Sequence, residues 1–76
     1  MADTAEIETL LHEALPGSEV SVSDMHGGDH LYAHVRAPQF DGLSLIAQHK
    51  LVYAPVQHLI DDGTIHALKI KTEVAT

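Results

Sequence analysis

The chain has 76 residues, with eleven acids against four bases, a net charge of −7 and no cysteine. A length of this order makes one small domain, residues 1–76, that buries only roughly 60% of its unfolded surface. The absence of cysteine excludes disulfides, thiolate ligands and thiol redox chemistry.

The charge is unevenly spread: residues 1–29 hold seven acids and no Lys or Arg, and residues 30–76 hold four of each. A chain with this balance lacks most of the cations that supply nonspecific nucleic-acid affinity. No apolar run approaches the ~20 residues of a membrane span, and no basic stretch followed by an apolar one opens the sequence, so a cytoplasmic location without membrane attachment is expected.

In chain order, Asp3 with Glu6 resembles a capping box. Ile7, Leu10, Leu11, Ala14 and Leu15 follow at the spacing of an amphipathic helix, which Pro16-Gly17 stops. Val20 and Val22 alternate with Ser21 and Ser23, predicting a short strand. Met25-His26-Gly27-Gly28-Asp29 reads as a flexible connection. Leu31, Ala33, Val35 and Ala37 then alternate with Tyr32, His34 and Arg36 in a second strand, antiparallel to the first and ended by Pro38. Phe40-Asp41-Gly42 is a turn, and Ser44 is placed to cap a helix whose core side carries Leu45, His49 and Val52, with Ile46 and Tyr53 beside them. Pro55 suits the first position of a further helix bearing Val56, Leu59 and Ile60. Asp61-Asp62-Gly63 closes that helix, and Ala67–Lys71 alternates as a last strand.

The order αββααβ predicts an α+β domain: a three-stranded sheet with the helices on one face, Ile46 among the core residues, and a tail frayed from Thr72 to Thr76. The opposite sheet face would show Ser21, Tyr32, His34, Arg36, Lys69 and Lys71.

Seven histidines without a cysteine is the compositional oddity, because neutral imidazole is the commonest protein metal ligand. His12 and His58 read as solvated, and His49 as part of the structure of its helix. Four residues along a strand span about 13 Å, so His30 and His34 cannot share an ion. His26 and His30 can approach across the glycine turn. His66 stands where the last strand begins, and periodicity weighs a ligand and a buried structural histidine equally there.

The compound pattern Phe40, Gly42, Leu45, Gln48-His49, Val52-Tyr53, then Ile65-His66 before the last strand, resembles the BolA family over nearly the whole chain. A pattern spread over about two dozen residues is far more specific than a short motif. The resemblance implies a class II KH-like topology, in agreement with the periodicity. It also implies that His66 ligates a [2Fe-2S] cluster bridged to a monothiol glutaredoxin, which contributes a cysteine and a bound glutathione; the isolated chain would carry no cofactor. A second ligand is implied in the loop joining the first two strands. There Asp29 falls where some members carry a thiol, and the Asp29-His30 pair looks like the members with histidine, making His30 the match and His26 the reserve.

The competing reading is a DNA-binding transcriptional regulator of the same family, using Arg36, Lys50, Lys69 and Lys71. The turn Tyr53-Ala54-Pro55-Val56 lacks the GxxG by which KH modules grip a nucleic-acid backbone. A nickel or zinc site built from His26 and His30 is a third possibility. An enzyme is not expected: no phosphate-cradling glycine loop and no Ser with an obvious base is present.

Overall fold

The structure, a computed structural model, describes residues 3–27 and 30–75, and of His26 the backbone alone. Helix α1 (Thr4–Ala14) is capped by Asp3, whose carboxylate accepts the Ala5 N–H at 2.9 Å. Its buried row is Ile7 and Leu11, continued by Leu15 just beyond the helix end. Strands β1 (Glu19–His26) and β2 (His30–Ala37) form an antiparallel hairpin. A Pro38–Phe40 turn then inserts Phe40, fully buried, into the core. Helix α2 (Leu45–Tyr53), capped by the Ser44 hydroxyl accepting from Ala47, leads through the Ala54–Val56 turn into helix α3 (Gln57–Asp61) and strand β3 (Ala67–Val74).

The sheet order is β1-β2-β3, with β2 antiparallel to β1 and parallel to β3. Parallel neighbours need a crossover connection, which α2 and α3 provide. In β2 the alternation is complete: Leu31, Ala33, Val35 and Ala37 are buried, whereas His30, Tyr32, His34 and Arg36 are half-buried on the other face. The buried set packs with Ile7, Leu11, Phe40, Val52, Val56 and Ile65 in one core, so the helices occupy one side of the sheet and leave the other open.

Three expectations change. Strand β1 runs on to His26, whose Cα pairs with that of His30 across an irregularity after Asp24, so the connection is shorter than the sequence suggested. Strand β3 continues through Thr72 to Val74, and the Ala75 N–H donates to the Ala37 carbonyl, so the segment from Thr72 is paired with β2. On α2, Leu45 and Ile46 are 64% and 70% exposed, which takes both off the core side assigned to them; Val52 is the helix's fully buried residue. The first turn of α2 therefore faces away from the sheet.

Candidate metal centre

Pairing β2 in parallel with β3 places His30 beside Ala67, the residue after His66. The two imidazoles consequently meet at one end of the sheet, with ring centres 5.2 Å apart and planes within 10° of parallel. His66 is exposed and His30 half-buried, so the bland alternative for His66, a core histidine, is excluded. The backbone of His26 ends β1 at this same corner through its pairing with His30. Its side chain, and the residues Gly28 and Asp29 invoked in placing the second ligand, lie outside the described residues.

The backbone around His66 is fixed on both sides. Asp62 Oδ1 accepts the Thr64 N–H at 2.8 Å, Gly63 takes a left-handed φ of 83° as it leaves α3, and the Ile65 N–H donates to the Leu59 carbonyl at 2.9 Å. Ile65 itself is buried. Beyond His66, the Tyr53 hydroxyl donates to the Leu68 carbonyl at 3.1 Å. Hydrogen bonds from the Thr64 side chain and backbone hold the Asp62 carboxyl below its ordinary range, because they favour its charged form.

Among the described residues, two imidazoles stand together at this corner. Two imidazoles sharing one ion through metal–nitrogen bonds of about 2.0–2.1 Å have ring centres roughly 5 Å apart at a tetrahedral angle. The observed separation fits a shared ion, provided the near-parallel rings turn toward each other. Among the described residues no group of three or more His, Asp or Glu side chains is placed to hold a metal.

The other candidates disperse. His34 belongs to the open face, where its Nε2–H donates to Glu73 Oε1 at 2.9 Å, since a carboxylate can only accept. Arg36 lies 3.6 Å from Glu19 and Lys71 lies 3.9 Å from Glu73. Two of the cations proposed for DNA thus sit beside carboxylates, and Lys50 projects from α2, across the sheet from Arg36, Lys69 and Lys71. Sequence reasoning missed the part played by Tyr53. The sequence sets it beside the core stripe, and no spacing reveals that its hydroxyl reaches β3. Among the described residues no helix is long and apolar enough to cross a membrane.

The model of the BolA-like protein family matches residues 6–76. Relatives include the acid stress protein IbaG of Escherichia coli, 38% identical over 66 residues, covering 87% of this chain and 76% of that protein. The Rickettsia prowazekii protein RP812 is 37% identical over 68 residues, covering 88% and 87%. Among solved structures, a BolA homologue from Coxiella burnetii superimposes with a TM-score of 0.79 at 32% identity, covering 97% of this chain and 92% of that one. With a family model matched over residues 6–76, relatives above 30% identity over most of their length and an αββααβ order with a mixed sheet, the chain belongs to the BolA-like family.

Proposed function

We propose that the chain is a non-enzymatic partner of a monothiol glutaredoxin and co-ligates a bridging [2Fe-2S] cluster through His66 and His30, with His26 in reserve, in iron-sulfur cluster trafficking or iron sensing. The observation that carries this reading is the pair of imidazoles 5.2 Å apart at an accessible corner of the sheet. Two neutral nitrogen donors suit one iron of such a cluster, as in centres where two histidines replace two cysteines. When bound, the cluster supplies a redox-active group that the chain's own side chains lack.

The chain's residues do the positioning. Ile65, buried and hydrogen-bonded to α3, brings His66 to the surface, and the β2–β3 register sets His30 against it. A histidine ligand binds as neutral imidazole and is released by protonation, which suits a cluster meant to be passed on. Dependence on glutathione points to a reducing compartment such as the cytoplasm. The DNA-binding alternative draws on the same topology, but two of its four cations, Arg36 and Lys71, sit beside Glu19 and Glu73.

The test is reconstitution with iron, sulfide, glutathione and a monothiol glutaredoxin. The purified chain alone stays colourless, and mixing yields a heterodimer with visible cluster absorbance and circular dichroism. His66→Ala abolishes the heterodimer's spectrum and His30→Ala alters it; a spectrum unchanged by His66→Ala overturns the reading.

A further inference from the structure

His66 and Ala67 are exposed residues strung between two anchors. On one side, Ile65 is buried and its N–H donates to the Leu59 carbonyl. On the other, the Leu68 carbonyl accepts the Tyr53 hydroxyl at 3.1 Å, in a partly buried contact. Strand β3 is a sheet edge, bonded to β2 alone, so carbonyls on its outer side have no strand partner. The Tyr53 hydroxyl serves such a carbonyl two residues from His66.

We propose that Tyr53 is a positioning residue for His66. By tying Leu68 to α2 it fixes the first residues of β3, and with them the backbone from which His66 meets the ring of His30. The proposal deepens the cluster-ligand reading and rests on it for its functional meaning. The structural element of the claim, that the Tyr53 hydroxyl sets the histidine pair, stands apart. Outer partners that orient metal ligands are worth about 10–100-fold in affinity where they have been removed.

The fold supplies its own control. A second side-chain bond joins the same two elements: the Thr72 hydroxyl donates to Gln48 Oε1 at 2.6 Å, farther along β3 from His66. If α2 merely braces β3, losing either bond has the same effect on the histidines. If Tyr53 positions His66, only one loss matters.

The experiment compares Tyr53→Phe with Thr72→Val in the full chain, each with its melting temperature recorded. In the isolated protein, ring-to-ring nuclear Overhauser contacts between His30 and His66 are measured. In the presence of glutaredoxin, glutathione and reconstituted cluster, each variant is titrated by visible circular dichroism. Tyr53→Phe is expected to lose the ring contacts and to require roughly 10-fold more protein for half-maximal signal, while Thr72→Val keeps both. The proposal is overturned if Tyr53→Phe retains the ring contacts, or if Thr72→Val loses them equally. Absence of any visible signal from the unaltered chain would instead count against the cluster reading, and the ring contacts would still decide the role of Tyr53.

Discussion

Asp62 holds the turn that precedes His66. Its carboxylate accepts the Thr64 N–H, and hydrogen bonds from the Thr64 side chain and backbone lower its pKa from the ordinary 3.8. A group whose folded pKa is depressed contributes fully above its unfolded value and loses that contribution as pH falls through the folded one. The turn is therefore intact at neutral pH and loosens only under strong acid. Followed by NMR, the Thr64 amide should titrate with a midpoint below 3.8, and Asp62→Asn should erase that titration. A midpoint at or above the ordinary carboxylate value contradicts the hydrogen bond. At this scale the sequence showed one half of the corner. The Asp-Asp-Gly closure of α3 announced a turn before His66, whereas the meeting of His66 with His30 depends on parallel pairing between distant segments, which no local period encodes. Both residues were reached through family resemblance; their stacking required the folded chain.

Among the elements, α2 separates what periodicity reports from what packing decides. The three- and four-residue spacing marked the helix and Ser44 as its cap, but of the row assigned to its core side only Val52 is buried. It did not say how the helix would roll on the sheet. The side-chain bonds from α2 to β3 come from Gln48 and Tyr53, Val52 is sealed in the core, and the first turn with Leu45 and Ile46 faces solvent. Removing exposed apolar atoms changes stability little, whereas truncating a buried side chain costs the lost transfer energy plus a cavity term. Ile46→Ala should thus lie within about 0.5 kcal/mol of the unaltered chain in urea denaturation, and Val52→Ala should cost about 2 kcal/mol. Equal costs would mean that the helix sits rolled toward Ile46, as the sequence had suggested. The strands were easier to read, because a period of two with one buried face admits only one orientation, and β2 follows it without exception.

For the molecule as a whole, the small core sets how much disturbance the site can tolerate. A domain of 76 residues has a total stability of about 4–11 kcal/mol. Its one phenylalanine, Phe40, is the largest fully buried side chain, placed by the Pro38–Phe40 turn beneath the end of the sheet. Truncating a buried phenylalanine costs about 3–5 kcal/mol, and in a domain this small each kcal/mol moves the melting temperature by about 4–8 °C. Phe40→Ala should therefore lower the midpoint of a thermal circular-dichroism melt by tens of degrees, and Phe40→Leu by much less. His66, being exposed, carries no such burden: His66→Ala should melt within a few degrees of the unaltered chain, about the shift expected of a surface substitution. The two variants together separate fold from site, because loss of cluster uptake in a protein that melts normally is a defect of the site and not of the fold. A drop below about 10 °C for Phe40→Ala would show that the core does not depend on this ring.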